Sequence, residues 1–239
     1  MTGAARRRGA ALAGLAACLT VAACASYGPL PDDLARRLTD RIARDATFVT
    51  ESATVTITSD ALNGEFTGRL AARRDTAPTV RVQLFPDLGG KVLDVLVDAR
   101  QIVAVMPQAG LAVSRRTDDA TLPPYDPLLF VAVSLLESFT PVTKLRVRGA
   151  RRVDGGVELL LDPTVAGTRV TAIVDDAGAV LHHEIALRAA RWRISTRANR
   201  VEAHGSGFAL VAAVEERETH AALPSDAFAV PTLAEDTTR

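Results

Sequence analysis

The stretch VLDVLVDARQIVAVM, residues 92–106, decides the fold class of this chain. Its two runs, Val92–Val97 and Ile102–Met106, are nearly apolar on both faces and are joined by Asp98-Ala99-Arg100-Gln101. Strands of this kind are buried on both faces and therefore need cover on each side. The stretch predicts two neighbouring strands in a strongly curved sheet that holds another element in its concavity.

The segments on either side of this stretch alternate between apolar and polar residues. A period of two is typical of half-buried antiparallel strands. The alternating segments are 55–57, 66–73 and 80–84 before the stretch, and 145–148, 157–161, 170–174, 180–187, 192–198 and 208–214 after it. No glycine fingerprint or regular succession of crossover helices is present, so all-parallel and doubly wound sheets are excluded. The chain is predicted to be mainly β (α+β), with about 10–11 antiparallel strands.

The cover for the curved sheet is predicted to be a central helix at Asp126–Phe139, DPLLFVAVSLLESF. Its apolar residues surround the helix almost completely, so it must be enclosed. Asp126 is the predicted N-cap and Pro127 the first helical residue. The helix is too short to cross a bilayer, which takes ~20 residues. Two interpretations stay open: a fixed core helix, or a movable lid over an apolar cavity.

A shorter helix is predicted before the first strand, at Asp33–Arg44. Asp32 or Asp33 is the predicted N-cap. The apolar residues that recur at helical spacing are Leu34, Leu38 and Ile42.

The start of the chain predicts export and lipid anchoring. Arg6–Arg8 precede an apolar run at Gly9–Ala22, which is the layout of a signal peptide and is too short for a spanning helix. Val21-Ala22-Ala23-Cys24 resembles the bacterial lipobox, in which the cysteine thiol is lipidated and becomes the first mature residue. Cys18 leaves with the signal peptide, so the mature chain has neither a disulfide nor a free thiol.

A lipidated Cys24 predicts where the protein resides. A lipobox cysteine carries two or three acyl chains such as palmitate, and each buried CH₂ contributes ~0.8 kcal/mol to anchoring. Ala25, and not aspartate, comes next, which by resemblance to diderm lipoproteins favours the periplasmic face of the outer membrane. The predicted divisions are a signal peptide at 1–23, an acylated tether at 24–32, one folded domain at 33–231 and a C-terminal tail at 232–239.

Composition limits the partners. The chain has 28 Lys and Arg against 28 Asp and Glu and no basic tail, which argues against nucleic acid. Aromatic residues make up only 4% of the chain, so the interior is built from Val, Leu, Ile and Ala. Such an interior suits flexible hydrocarbon, although a genomic bias toward these residues explains the composition equally well. A monomer is expected.

No catalytic constellation is recognisable in the sequence, and no enzyme, metal or cofactor is expected. His182 and His183 are adjacent on a predicted strand, so they point to opposite faces and cannot chelate one ion together. His183 is predicted to be a hydrogen-bonded core residue. Ser206 in Gly205-Ser206-Gly207 lacks the context of a nucleophile elbow and is assigned to a hairpin turn.

Two motifs and the order of the elements resemble the LolA/LolB-like (lipoprotein-localisation) superfamily. Gly68-Arg69-Leu70-Ala71, followed by an alternating strand and Phe85-Pro86-Asp87-Leu88-Gly89-Gly90, resembles the Gly-Arg-Leu strand and Pro-Leu-Gly turn of these proteins. The segment Leu223–Pro231 is similar to the end of LolA-like lipoproteins. The resemblance covers roughly residues 33–231 and implies an unclosed, strongly curved antiparallel half-barrel. In that family helices plug the apolar concave side, which binds acyl chains of lipids or lipoproteins.

The resemblance also implies an exposed leucine in a loop between neighbouring strands and tryptophan-rich first strands. The corresponding turn, Asp75-Thr76-Ala77-Pro78, contains no leucine, and Trp192 is the only tryptophan. A general lipid-handling or envelope-maintenance role is therefore expected, and not lipoprotein insertion in particular.

Two hypotheses follow. The first is an outer-membrane lipoprotein that binds or hands over a lipid or acylated ligand in an apolar cavity. The second is a non-enzymatic envelope assembly subunit that docks a protein partner and fills its interior with its own side chains. A cavity of several hundred Å³ favours the first, and dense packing favours the second. The predicted cavity residues are Leu84, Val95, Val97, Val103, Val105, Leu129, Phe130, Val133, Leu136, Ile185, Leu187, Trp192, Ile194, Phe208 and Leu210.

Replacing Cys24 with serine should abolish lipidation and cleavage at this site, because a hydroxyl cannot form the thioether. Incorporation of labelled palmitate and membrane fractionation measure the effect. A Cys24→Ser protein that still takes up palmitate and fractionates with outer membranes would contradict the lipobox interpretation.

Overall fold

The computed structural model describes residues 26–45, 47–60, 62–75, 78–117, 127–164, 167–187 and 192–233. The helices are α1 (Asp32–Arg44) and α2 (Pro127–Phe139), with short 3-10 turns at Pro107–Ala109 and Lys144–Arg146. The strands are β1 (Phe48–Ser59), β2 (Gly64–Arg73), β3 (Thr79–Phe85), β4 (Leu93–Asp98), β5 (Gln101–Met106), β6 (Leu111–Arg116), β7 (Val147–Val153), β8 (Gly156–Leu161), β9 (Thr168–Val174), β10 (Val180–Leu187), β11 (Trp192–Arg197), β12 (Arg200–Gly205) and β13 (Phe208–His220).

All thirteen described strands form one antiparallel sheet with the order β6-β5-β4-β3-β2-β1-β13-β12-β11-β10-β9-β8-β7. The first six strands run from the centre of the sheet to one edge. Helix α2 then crosses to the other edge, and the last seven strands return to pair β13 with β1. The edge strands β6 and β7 are not paired to each other, so the half-barrel is unclosed and the predicted fold class is confirmed.

The concave face is lined by rows of apolar side chains that run across the strands. One row follows the strand register from β1 through β13 to β8 and consists of Ile57, Leu210, Ala203, Ile194, Ile185, Val170 and Leu161. All of these side chains are buried. A β-bulge between Ser52 and Ala53 interrupts the pairing of the two long central strands, and bulges increase local twist and bend the strand.

Helix α2 fills this concave face. It packs against β3, β4 and β5 of one half of the sheet and against β10 and β11 of the other. The ring of Phe130 lies 5.6 Å from the ring of Trp192, measured between centroids. Val133 and Leu136 are buried among the core residues. The predicted plug helix is therefore confirmed, with Asp126, its predicted N-cap, outside the described residues.

The C-terminal segment contacts the convex face of the sheet at β3. Arg81 points to this face and donates hydrogen bonds to the main-chain oxygens of Asp226 and Ala227. The strand register puts Leu96, Val103 and Val105 on the same face as Arg81, and all three are buried. The residues that decide the fold class are thus covered on both sides, as their sequence predicts.

A buried carboxylate holds this outer layer together. Asp94 accepts two hydrogen bonds from Arg81, at 3.0 and 2.9 Å, and further ones from Gln83 and Lys91. Burial alone would raise the pKa of Asp94, but these hydrogen bonds outweigh it and hold the pKa below its ordinary value.

Three sequence-based expectations differ from the structure. The strand count is thirteen, because β6 and β12 were not recognised. β6 is an almost fully exposed edge strand without a buried face. The predicted strand at 145–148 begins only at Val147, after a 3-10 turn that leaves Leu145 exposed. Helix α1 begins at Asp32, and Pro31 at its N-cap makes no side-chain cap, so the predicted aspartate cap is wrong.

Within the described residues, neither helix combines the length and the apolar character needed to cross a membrane.

Asp94→Ala should lower the free energy of unfolding by about 3 kcal/mol, because it leaves the largely buried Arg81 guanidinium without its counter-charge. The matched control is Asp176→Ala, since the Asp176 pair with Arg152 is exposed on both sides and should contribute little. Urea unfolding of both variants measures the difference. Equal midpoints would show that the Asp94 network does not stabilise the fold.

Candidate functional site

The concave face leaves one apolar cavity beneath α2, with a volume of about 90 Å³. Val131, Ala132 and Leu135 of α2 form its roof. The apolar residues of its walls come from β1–β4, β12 and β13: Ala53, Val55, Ile57, Gly68, Leu70, Val82, Leu84, Leu93, Val95, Val97, Val201, Leu210, Ala212 and Val214.

Gly68, from the Gly-Arg-Leu motif, keeps this cavity open. A Cβ at this position would lie 2.7 Å from Cγ2 of Val55, closer than side-chain atoms approach each other. The absence of a side chain at Gly68 lets Val55 and Leu84 lie against the backbone of β2. This glycine therefore shapes the cavity floor.

The cavity is small for a ligand site while α2 is in place. An apolar cavity of about 150 Å³ is large enough to bind benzene, and drug-sized ligands occupy pockets of roughly 300–1,000 Å³. A volume of about 90 Å³ holds only a short part of an alkyl chain. An entire acyl chain fits only if α2 moves away from β1–β4.

Helix α2 is attached to the sheet differently at its two ends. Near its C-terminus the fully buried carboxylate of Glu137 accepts a 2.5 Å hydrogen bond from Arg146 and another from the backbone N–H of Thr164. The contact between Phe130 and Trp192 holds the first half of the helix and is apolar. A buried ion pair therefore holds the end that carries Glu137, and an apolar ring contact is described for the first half of the helix.

Two buried polar atoms beside α2 have no hydrogen-bond partner. They are Oγ of Ser134 and Nε2 of His183, which lies on the concave face of β10. Burial, with a smaller contribution from Arg146, lowers the pKa of His183 to about 3. His183 is a core residue as predicted, but its Nε2 is not hydrogen-bonded, which corrects that part of the expectation.

The apolar cavity adjoins a polar groove at the end of the barrel where α1 ends. The two share Glu51, Leu135, Val201 and Val214, and the groove has a volume of about 330 Å³. Its charged lining includes Arg41 of α1, Arg74 after β2 and Arg217 of β13. We call the groove with these three residues the arginine groove.

Two carboxylates partly neutralise the arginine groove. Asp45 lies 2.8 Å from Nε of Arg41 and 3.5 Å from Nη2 of Arg74. Glu51 lies 2.6 Å from Nε of Arg217. Arg197 also lines the groove, so four guanidinium groups face two carboxylates, and the groove keeps an excess of positive charge.

An exposed leucine lies at the opposite end of the barrel. Leu88, in the turn between β3 and β4, is 91% exposed. The expected leucine loop corresponds to the turn Asp75–Pro78, between β2 and β3, whose sequence contains no leucine. The departure from the resemblance at Asp75–Pro78 therefore stands, and Leu88 is an exposed leucine in a different turn.

The structure brings together only part of the predicted cavity residues. Leu84, Val95, Val97 and Leu210 line the cavity. A second group is buried in the packed core beside it: Phe130, Val133, Leu136, Ile185, Trp192, Ile194 and Phe208. Leu187 is partly buried and packs against this core.

Two predicted residues lie elsewhere. Val103 and Val105 face the convex side, because β5 alternates and its concave positions are Ile102 and Ala104. The side chain of Leu129 is outside the described part. The roof residues and the arginine groove were not predicted from the sequence. The roof residues share one helix, so helical spacing in the sequence could have indicated them. No local pattern connects residues 41, 74 and 217, which lie far apart in the sequence.

The fold and cavity define a class of protein: an unclosed antiparallel half-barrel plugged by a helix. No protein-family profile and no curated protein matches the sequence. A putative outer membrane lipoprotein-sorting protein domain from Vibrio parahaemolyticus matches with a TM-score of 0.55 at 12% identity, over 82% of this chain and 95% of that one. A DUF1329 family protein from Desulfovibrio piger matches with a TM-score of 0.54 at 12% identity, over 82% and 94%.

A LolA superfamily protein from Nitrosomonas europaea gives a TM-score of 0.48 at 12% identity, over 82% of this chain and 96% of that one. The match to the lipoprotein-sorting domain shows that the chain has a LolA/LolB-like fold, and the resemblance stated from the sequence is confirmed at the level of the fold.

His183 should make the stability of the fold depend on pH. Its folded pKa of about 3 lies below the unfolded value of 6.5, so acid favours the unfolded chain, and stability is lost as the pH falls from 6.5 toward 3. Between pH 6.5 and pH 5 this single group should lower the free energy of unfolding by roughly 2 kcal/mol. His183→Leu should flatten the profile, whereas His204→Leu, at an exposed position of β12, should not. Urea unfolding at each pH measures the free energy of unfolding of each variant. Identical pH profiles for the two variants would contradict the prediction.

Proposed function

We propose that this protein is a lipid-anchored lipoprotein of the outer membrane, facing the periplasm, that binds an acyl chain beneath α2 and hands it over. The observation that carries the proposal is the apolar cavity beneath α2. The lipobox-like sequence at Cys24 supports the location at the outer membrane. The fold shared with a lipoprotein-sorting domain supports an acylated ligand.

The structure of α2 favours the lid interpretation. A helix that only filled a core would not need a polar attachment at one end, since burying Glu137 costs desolvation that apolar packing avoids. The buried ion pair of Glu137 and Arg146 acts as a hinge that holds the C-terminal end of α2 in place. The ring of Phe130 can then move away from the ring of Trp192. Methylene groups of the ligand can then pack against the apolar side chains that the helix exposes as it moves.

One observation favours the second candidate function, a docking subunit with a filled interior. The cavity of about 90 Å³ is below the size of ordinary ligand pockets. Under this hypothesis α2 never leaves the sheet, and the partner binds an outer surface.

Filling the cavity separates the two candidates. Ala212→Leu places a larger side chain in the cavity wall and should reduce lipid bound to the unacylated mature chain by about tenfold or more, with little loss of stability. Ala213→Leu, on the exposed opposite face of β13, is the matched control. Native mass spectrometry measures bound lipid directly as added mass. If wild type carries no lipid after purification and after incubation with a fatty acid, the carrier function is wrong and the docking function stands.

Leu88 should assist handover at a membrane, because an exposed leucine side chain can enter the acyl region of a bilayer. Leu88→Ser should reduce lipid transfer to acceptor vesicles several-fold while leaving lipid binding and the urea midpoint unchanged. Leu145→Ser is the matched control, since Leu145 is 92% exposed on the 3-10 turn before β7. Transfer rates are compared by fluorescence. Equal rates for the two variants would remove Leu88 from the proposed transfer step.

A further inference from the structure

The arginine groove collects three guanidinium groups from three separate parts of the chain. Arg41 belongs to the last turn of α1, Arg74 follows β2, and Arg217 lies near the end of β13. Cations in the last turn commonly stabilise a helix, and this accounts for Arg41. Arg217 pairs with Glu51, its partner across β1 and β13, so Arg74 is the arginine that needs another explanation.

Arg74 is incompletely satisfied in the structure. Its Nε is buried and has no hydrogen-bond partner, and its nearest carboxylate oxygen, on Asp45, is 3.5 Å from Nη2. Burial and the neighbouring positive charges of Arg217 and Arg41 lower its pKa, while Asp45 and Glu51 counteract part of this effect. Buried donors without partners are uncommon and costly. An anion between the three arginines would neutralise the excess positive charge beside Arg74.

The position of the groove relative to the cavity restricts what that anion is attached to. Glu51, Leu135, Val201 and Val214 line both spaces, so the groove adjoins the apolar cavity, separated from it by these side chains. An alkyl chain in the cavity that passes between these side chains would place a group at its end among the arginines. The volume of about 90 Å³ under α2 holds part of one chain before the helix moves, so a ligand with a single chain fits better than one with several.

We propose that the arginine groove binds the oxyanion head, a carboxylate or a phosphate, of a single-chain amphiphile whose alkyl tail enters the cavity beneath α2. This inference rests on the proposed acyl-chain binding and narrows its ligand class. It favours a fatty acid or an alkyl phosphate over acyl chains whose head is uncharged. Guanidinium groups suit both heads, because they form paired, charge-assisted hydrogen bonds with carboxylate and phosphate oxygens.

The test compares ligands of equal chain length and different head group. Decanoate, decyl phosphate and 1-decanol are titrated by calorimetry into the unacylated mature chain, residues 24–239. Wild type should bind the two anions at least about tenfold more tightly than decanol, since charge-assisted hydrogen bonds contribute more than neutral ones. Inorganic phosphate alone should bind far more weakly than decyl phosphate.

Arg74→Gln and Arg217→Gln should each weaken decanoate binding about tenfold and leave decanol binding unchanged. Arg152→Gln is the control, because Arg152 is exposed on β7, distant from the groove in the sheet order. If Arg74→Gln does not fold, as judged by its urea midpoint, Arg217→Gln carries the test alone.

Each other outcome overturns the inference in a distinguishable way. Equal affinity for decanoate and decanol removes the head-group site but leaves acyl-chain binding intact. A variant that weakens both ligands equally shows a structural role for the arginines. Phosphate that binds as tightly as decyl phosphate indicates a free-anion site unrelated to the cavity. If none of the three amphiphiles binds, both the proposed function and this inference are wrong.

Discussion

The contact between α2 and the concave face of the sheet is the interaction on which the rest of the structure depends. A single curved sheet cannot bury its concave face against itself unless it closes, and here the edge strands β6 and β7 remain unpaired. One helix must therefore cover apolar rows from both halves of the sheet. This explains why α2 is apolar on nearly every side, and why it lies in the chain between the first six strands and the last seven.

This dependence explains which parts of the fold the sequence predicts well. A strand pair buried on both faces, such as β4 and β5, needs two covering layers, and its composition indicates this directly. The all-round apolar helix is equally informative, because no exposed helix has such a pattern. β6 shows the limit: as an exposed edge strand paired with β5, it has almost no buried residues and so no burial pattern to recognise.

The candidate site was less predictable than the fold, for two physical reasons. The face that a strand residue occupies depends on register, so Val103 and Val105 have the composition of cavity residues and yet face the convex layer. The arginine groove depends on tertiary structure, because Arg41, Arg74 and Arg217 meet only when β2 and β13 end beside α1. Periodicity within a segment predicts which residues are buried, but it carries no information about which distant segments meet.

Under the proposed function, acyl-chain binding beneath α2 should be reversible, because its energetic gains and costs are of similar size. A ten-carbon chain transferred from water gains roughly 8 kcal/mol, at about 0.8 kcal/mol for each CH₂. To admit it, α2 must withdraw apolar residues such as Val131 and Leu135 from the sheet, and their exposure costs a comparable amount unless the chain covers them. The pair of Glu137 and Arg146 limits that cost, because breaking a buried ion pair takes about 3–5 kcal/mol and so restricts movement to the first half of the helix. Gains and costs of similar size give moderate affinity, which suits a protein that passes its ligand on more than one that stores it.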